Sequence, residues 1–304
     1  MLRALINHED HEVVGVLTRA DARRGRGRTL HPSPVAALAR EAGLDVRTPA
    51  TLKDEDTQRW VEGLDAQVAV VVAYGRIVPP ALLDVPVHGW LNLHFSLLPA
   101  WRGAAPVQRA VMAGDRMTGA SVFRLEAGLD TGPVYATRPE PVGPRDTAGD
   151  LLARLAEAGA PLVLDVLARL AEGTAVATAQ AEQGVSLAPT LSPADGEVDW
   201  TRPAHDIDRQ VRGVTPAPGA RTSYLGAPMR LGPVERVGDG APPVVLAPGE
   251  LHVTKREVLV GTGTTSLRLG RVAPAGKAWM DAEAWARGAR PAAGARLGDD
   301  GQAH

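Results

Sequence analysis

Two polar side chains interrupt an apolar stretch in the first half of the chain. Asn92 and His94 stand two residues apart within residues 89–95, most of which are apolar. Because successive residues of a strand alternate between its faces, Asn92 and His94 project from the same face. An amide can donate a hydrogen bond to a developing oxyanion, and an imidazole can move a proton near neutral pH. The pair therefore predicts a site for acyl transfer near the end of a strand.

A carboxylate farther along the chain can join this pair. Asp130 lies in the glycine-bounded loop at 128–132, which follows the next predicted strand at 119–125. We expect these strands to be adjacent and parallel, which would place the loop beside Asn92 and His94. In open parallel sheets, ligands bind beyond the carboxyl ends of the strands. A carboxylate beside the imidazole can raise its pKa, orient the ring or hold a water molecule.

The sequence offers no obvious covalent nucleophile. It contains no cysteine and no G-x-S-x-G segment, so an acyl-enzyme intermediate is disfavoured. Its histidines show no metal-ligand spacing, and we predict no metal site. A structural interpretation stays open on these residues alone. Asn-x-His is a weak motif, and a buried histidine is commonly satisfied by a backbone carbonyl.

Strand and helix patterns alternate in the first part of the chain. A helix is predicted from Ser33, as N-cap, and Pro34 to Gly43, with further helical patterns at 105–114 and 146–173. This alternation favours an α/β domain with a Rossmann-like, mostly parallel sheet. The predicted strands are 12–17, 66–75, 89–95, 119–125 and 132–138, the last of them antiparallel.

The composition changes after Gly173. Residues 174–196 are small and polar, with two prolines, and predict a linker between a catalytic domain at 1–173 and a second domain at 197–304. After a helical pattern at 204–214, short strands punctuated by glycine favour a small OB-like β-barrel. The candidate strands are 221–225, 229–231, 243–246, 250–253, 257–260 and 265–271.

The charge balance restricts nucleic-acid binding to a local patch. The 304 residues include 33 Lys and Arg against 35 Asp and Glu, a net charge of -2. A basic patch does occur where Arg24, Arg26 and Arg28 alternate with glycine. The absence of cysteine, of a secretion signal and of an apolar run of about 20 residues predicts a cytoplasmic protein without a membrane span.

Longer motifs around these residues carry a family resemblance. "NLHFSLLPAWRGAAPVQ" (92–108) and "LEAGLDTGPV" (125–134) closely resemble the core of the folate-dependent formyltransferases. "WRGAAP" (101–106) and "VVAYG" (71–75) are similar to the branch whose acceptor is methionyl initiator tRNA. The resemblance extends from about residue 12 to 290. It implies transfer of a formyl group from 10-formyltetrahydrofolate to the α-amine of methionyl initiator tRNA, in translation initiation.

The resemblance also assigns roles to residues. It implies that Asn92 holds the formyl oxygen, that His94 stabilises the oxyanion and moves the proton, and that Asp130 tunes His94 and positions a water molecule. The acceptor α-amine, with a pKa of about 7.7–8.0 in free peptides, needs little activation.

Substrate contacts follow from the same resemblance. Family segments on the folate side fall on Ser96, Leu97, Leu98 and Pro99, and on Tyr74, Gly75 and Ile77. A flexible loop that grips the acceptor stem falls on residues 18–34, the Arg/Gly loop, with Arg26 at the family's key arginine and Arg24 and Arg28 beside it. The candidate phosphate contacts in the second domain are Lys277, Lys255, Arg256, Arg212 and Arg221. We expect a monomer.

The start of the chain departs from the family pattern. Residues 1–10 resemble the end of a helix, and the usual first strand with its Phe-x-Gly-Thr-Pro loop is not found before residue 12. We expect a start codon placed too far downstream, so the activity of these 304 residues is a separate question. Two alternatives stay open: a formyltransferase for an amino sugar nucleotide, and an inactive shortened form that binds tRNA or folate.

Overall fold

Helices and strands alternate in the first half of the chain, and short strands are the most numerous elements in the second. The computed structural model describes residues 1–24, 29–237 and 245–298. The helices in these ranges are α1 (Leu2–Ile6), α2 (Pro34–Glu41), α3 (Glu55–Gly63), α4 (Pro80–Leu83), α5 (Pro106–Ala113), α6 (Ala148–Ala171), a 3-10 turn (Pro193–Gly196), α7 (Ala204–Gly213) and α8 (Ala282–Ala289).

The strands are more numerous than the sequence patterns predict, and most of them are shorter. Those before residue 190 are β1 (Val16–Leu17), β2 (Ala22–Arg24), β3 (Thr29–His31), β4 (Val46–Arg47), β5 (Ala69–Val71), β6 (Trp90–His94), β7 (Arg102–Gly103), β8 (Met117–Arg124), β9 (Val134–Pro141) and β10 (Leu187–Ala188). Those after it are β11 (Ala220–Tyr224), β12 (Ala227–Leu231), β13 (Val234–Arg236), β14 (Leu251–Val253), β15 (Val258–Val260), β16 (Leu267–Leu269), β17 (Arg271–Pro274) and β18 (Met280–Asp281).

The chain folds into two compact units. The first unit contains Met1–Pro106, Thr118–Glu140 and Arg154–Ala188. The second contains Val107–Met117, Pro141–Ala153 and the described residues from Pro189 onward. No helix in the described ranges is long and apolar enough to cross a membrane.

The main sheet of the first unit has the strand order β5-β6-β8-β9. Strands β5 and β6 are parallel, with Val71 opposite Asn92. Strands β6 and β8 are antiparallel, with His94 opposite Ser121. The α/β class is confirmed, but the prediction that β6 and β8 run parallel is wrong.

A second, smaller sheet pairs β1 with β4 in parallel. The helix between them begins as the sequence predicts, because the Ser33 hydroxyl accepts the Ala36 N–H at 3.0 Å and Pro34 is the first helical residue. Before this helix, β2 and β3 form an antiparallel hairpin in which Arg24 pairs with Thr29. The flanks of the basic patch are therefore strands, where the sequence predicts a loop throughout.

Helix α6 covers one face of β6. The pattern at 146–173 allows one or two helices, and the structure has one, with Pro161 inside it. Gly159 brings this helix close to the sheet: a Cβ at that position would lie 2.5 Å from the Leu93 Cδ2 atom. Because Leu93 faces α6, alternation along the strand turns Asn92 and His94 to the other face.

The second unit is built from two four-stranded sheets, ordered β11-β12-β17-β18 and β13-β16-β15-β14. The registered pairs are antiparallel, and the core includes Ile207, Val211, Leu267 and Trp285. Antiparallel strands are thus confirmed, but within the described ranges the two sheets do not join into a closed barrel. The predicted strand at 243–246 falls partly outside the described residues, and its last two residues form no strand.

Candidate active site

Strand β6 places Asn92 and His94 at the edge where the chain leaves the sheet. Leu91 and Leu93 are fully or almost fully buried on the opposite face, which fixes the register of the strand. His94 is the last residue of β6 and is only 6% exposed, whereas Asn92 is half-buried. A buried imidazole and a more accessible amide therefore share one face.

A different oxygen lies near each ring nitrogen of His94. The Nε2 atom is 2.8 Å from the backbone carbonyl oxygen of Trp101, and the Nδ1 atom is 3.8 Å from Oδ2 of Asp130. A carbonyl oxygen can only accept, so Nε2 carries a proton in the neutral ring and Nδ1 carries the lone pair. The lone pair is then directed toward the Asp130 side of the site, where a proton can be received.

Burial lowers the pKa of His94 below its ordinary value of 6.5. The Asp130 carboxylate and the hydrogen bond to Trp101 both oppose this effect, but burial is the larger influence. The ring is therefore neutral at pH 7 and can act as a base.

Asp130 has an unusual backbone conformation, and a hydrogen bond holds its carboxylate in place. Its φ of 49° lies in the left-handed region, which a non-glycine residue adopts only when its surroundings impose it. Its Oδ2 atom accepts the Gly103 N–H at 2.7 Å. The structure thus brings Asp130 beside His94. It does so with an antiparallel β8, because the loop after this strand turns back toward β6.

The Asn92 amide is free to meet a ligand. No group within the described ranges forms a hydrogen bond with this side chain, although it lies beside the buried imidazole. A half-buried amide at the carboxyl end of a strand can donate to an oxygen atom on a substrate.

The turn after β6 is fixed by buried serines. The Ser96 hydroxyl donates to the Ala100 carbonyl at 2.6 Å, and the Ser121 hydroxyl donates to the Ser96 carbonyl at 2.7 Å. Ser96 is fully buried, so its side chain supports the turn. The Leu98–Pro99 peptide bond is cis, and these two residues line a pocket of about 400 Å³ together with residues 134–137 and 178–181.

The segment with Tyr74, Gly75 and Ile77 leaves the same edge of the sheet. It follows β5, whose Val71 lies opposite Asn92. Ile77 is 90% exposed, and the Tyr74 hydroxyl is buried without a protein partner in the described ranges. Burial raises the pKa of Tyr74, which keeps its hydroxyl protonated. These three residues do not line the 400 Å³ pocket.

The structure describes only some of the basic residues that are expected to contact tRNA. Arg26 and Arg28 lie outside the described residues, and Arg24 ends β2. Lys277 is exposed between β17 and β18. Arg212, another arginine that sequence reasoning offers for phosphate, is buried and donates to Asp208 and to the Asp146 carbonyl. A phosphate contact for Arg212 is therefore wrong.

Sequence reasoning missed two residues that support the site. Gln180 and Ser186 lie in the segment predicted as a linker, which also contains β10. Gln180 bonds the backbone of the Asp130 loop, and Ser186 accepts the backbone N–H of Trp101 at 2.9 Å. The small and polar residues of this segment form no pattern that would have identified these contacts.

The site combines a half-buried amide, a neutral imidazole and a carboxylate, a set suited to acyl transfer without a covalent enzyme intermediate. No group of three or more His, Asp or Glu side chains within the described ranges is arranged to hold a metal ion. Two family models agree with this class of chemistry. "Formyl transferase" matches residues 1–167, and "Formyl transferase, C-terminal domain" matches residues 190–290.

Close relatives narrow the class. Methionyl-tRNA formyltransferases from Acidothermus cellulolyticus and Thermobifida fusca are 53% and 52% identical to this chain. The alignments cover 96% and 98% of the chain, and 94% and 95% of the relatives. The chain belongs to the methionyl-tRNA formyltransferase family. The family takes its formyl group from a formyl-tetrahydrofolate.

Solved structures share the fold at low identity. HypX from Aquifex aeolicus, solved in complex with tetrahydrofolic acid, is 18% identical, with a TM-score of 0.61 over 81% of this chain and 43% of that one. The N-formyltransferase from Helicobacter canadensis, solved with folinic acid and dTDP-3-aminofucose, is 13% identical, with a TM-score of 0.62 over 88% of this chain and 93% of that one.

Proposed function

We propose that Asn92, His94 and Asp130 carry formyl transfer from 10-formyltetrahydrofolate to the α-amine of methionyl initiator tRNA. One observation supports this assignment above the others. The neutral His94 ring donates its Nε2 proton to the Trp101 carbonyl and has its Nδ1 lone pair on the Asp130 side, next to the half-buried amide of Asn92.

In the proposed reaction the amine nitrogen attacks the formyl carbon. The formyl oxygen gains negative charge, which the Asn92 N–H stabilises, and His94 Nδ1 takes the proton that the amine loses. The carboxylate of Asp130 then stabilises the imidazolium. The bond from the formyl carbon to N10 of the folate breaks, and N10 receives the proton from His94. The products are the formylated amine and tetrahydrofolate.

The donor is assigned to the edge of the sheet where β5 and β6 end. The candidate contacts are the backbone of Ser96, the side chains of Leu97, Leu98 and Pro99, and the segment with Tyr74, Gly75 and Ile77. The Tyr74 hydroxyl, which is buried without a partner among the described residues, supports a polar ligand here, since buried polar groups are normally hydrogen-bonded.

The tRNA is assigned to the Arg/Gly loop and the second unit. Arg24, Arg26 and Arg28 suit phosphate contact, because guanidinium groups bind phosphate with two parallel hydrogen bonds. Lys277 is exposed and can add a further contact. We further propose that the protein acts as a monomer in the cytoplasm, where its acceptor tRNA is found.

Acceptor selectivity tests the proposal. The purified chain receives 10-formyltetrahydrofolate and either methionyl initiator tRNA or a dTDP-linked amino sugar, and the formylated product is measured. Formylation of the tRNA alone is expected. Formylation of the amino sugar alone would transfer the assignment to the sugar-acting branch of the fold. Formylation of neither acceptor would contradict the activity for this chain.

A further inference from the structure

We infer that Gln180 is a positioning residue that sets the place of Asp130 against His94. This inference rests on the proposed function of Asp130. Gln180 lies between the two family-model matches, which end at residue 167 and resume at residue 190, so neither match covers it.

The Gln180 side chain uses both ends of its amide. Its Nε2 atom donates to the backbone carbonyls of Asp130 at 2.7 Å and Gly132 at 2.8 Å. Its Oε1 atom accepts from Nε and Nη2 of Arg102 at 3.1 and 2.7 Å. Two acceptors on one side and a guanidinium on the other leave one orientation of the amide possible. One side chain therefore joins the Asp130 loop to the segment that follows the β6 turn.

The segments that Gln180 joins also meet at the Asp130 carboxylate. Gly103 follows Arg102 and donates its N–H to Asp130 Oδ2 at 2.7 Å. Gln180 thus holds the backbone of the Asp130 loop and the residue beside its carboxylate partner. The left-handed φ of Asp130 makes such support necessary, because a non-glycine residue leaves this conformation when its restraints are removed.

The chain on either side of Gln180 is itself anchored to the site. Thr178 exchanges two backbone hydrogen bonds with Val134, at 2.8 and 2.9 Å. Farther on, Ser186 accepts the N–H of Trp101, and β10 pairs with β7 in parallel. Trp101 also has a left-handed φ, of 60°, and its carbonyl accepts from His94. The segment 178–188 therefore supports the oxygens that lie near both ring nitrogens of His94.

The first test replaces Gln180 and separates turnover from binding. We expect Gln180→Ala to lower kcat by about tenfold to a hundredfold, because a misplacement of about 1 Å can cost that much, while KM for donor and tRNA changes little. Gln180→Glu keeps an acceptor for Arg102 but removes the N–H donors, so it should show the same loss. Recovery of activity with Gln180→Glu would assign the effect to Arg102 and overturn the inference.

The control is Gln183→Ala, an exposed glutamine in the same segment, which should leave kcat unchanged. Circular dichroism and thermal melting report whether each variant is folded. If Gln180→Ala fails to fold, Gln180→Glu, which is closer in shape, carries the same test.

The second test combines Gln180→Ala with Asp130→Ala. If Gln180 acts through Asp130, the double variant should be no slower than Asp130→Ala alone, since residues that act as a unit are not additive. If Gln180→Ala lowers kcat by the same factor in the Asp130→Ala background as in the wild-type chain, the inference is overturned. Full activity of Asp130→Ala by itself would instead overturn the proposed function of Asp130, so the two failures are distinct.

Discussion

The environment of His94 determines when this residue can accept a proton. Burial lowers its pKa, whereas Asp130 and the Trp101 carbonyl raise it, and burial has the larger effect. The ring is thus ready to act as a base at neutral pH without first losing a proton. In the proposed reaction the ring then becomes an imidazolium, which the carboxylate 3.8 Å away stabilises.

Replacement of Asp130 by asparagine should lower the pKa of His94 further, because the charge that favours the imidazolium is removed. NMR titration of the His94 ring in the wild-type chain and in Asp130→Asn measures this shift, with His94→Gln used to assign the signal. A pKa that stays the same or rises in Asp130→Asn would contradict the interaction between the two side chains.

The same pKa gives stability a defined dependence on pH. The unfolded chain binds a proton at His94 at about pH 6.5, and the folded chain binds it at lower pH. Below about pH 6.5 the unfolded state therefore holds more protons, so the His94 contribution to the free energy of unfolding falls as pH drops and is constant above that value. Urea unfolding between pH 5 and 8 should show this decrease in the wild-type chain and a smaller one in His94→Gln.

Sequence reasoning identified the residues of the candidate site but not the groups that hold them in place. Asn92 and His94 were found because strand alternation puts residues two apart on one face. The Trp101 carbonyl could not be found in this way, because every residue has a backbone carbonyl and its direction depends on φ and ψ. Gln180 was missed because its partners are distant in the sequence: two backbone carbonyls about 50 residues away and the Arg102 side chain 78 residues away.

At the level of elements, the contact between α6 and β6 holds the site strand in register. Gly159 leaves room for Leu93, and a methyl group there would lie 2.5 Å from the leucine Cδ2 atom. The packing of α6 on this face therefore depends on a glycine.

Gly159→Ala should destabilise the chain by about 1–3 kcal/mol, since a well-packed contact accepts an added methyl group poorly. Gly63→Ala is the matched control, because Gly63 also lies in a helix of this unit and has open space around its Cβ position. It should be neutral or up to about 1 kcal/mol more stable, as alanine favours helix. Chemical unfolding measures both variants, and equal stability of the two would contradict the packing account.

Element types were more predictable than their directions. Apolar runs located β6 and β8 and a capping signal located α2, because these signals are local. The antiparallel direction of β8 is defined by its pairing with β6, a contact between distant parts of the sequence that no local pattern records. The barrel prediction had a similar basis: glycine-punctuated strands indicate antiparallel pairing but do not determine whether the sheets close.

At the level of the whole molecule, a nearly neutral chain must bind a polyanion through a local surface. The net charge is -2, so the basic residues of the Arg/Gly loop are the proposed source of attraction to tRNA.

Arg26→Ala should weaken tRNA binding. It should also reduce the magnitude of the slope of log affinity against log salt concentration by about 1, the contribution of one phosphate contact. Arg59→Ala is the control, because Arg59 is an exposed arginine on α3 that pairs with Asp56. Filter binding of initiator tRNA at several salt concentrations measures the slope, and donor binding should be unaffected. An unchanged slope in Arg26→Ala would contradict a phosphate contact at this residue.

The most direct test of the proposed site is the turnover of Asn92→Ala, because Asn92 is the group assigned to the oxyanion. Formylation of methionyl initiator tRNA is measured at saturating acceptor and 10-formyltetrahydrofolate, and donor affinity is measured separately. Loss of one oxyanion donor predicts a kcat about a hundredfold to a thousandfold lower, with donor affinity nearly unchanged. A loss of less than tenfold would contradict the assignment of this amide to the developing oxyanion.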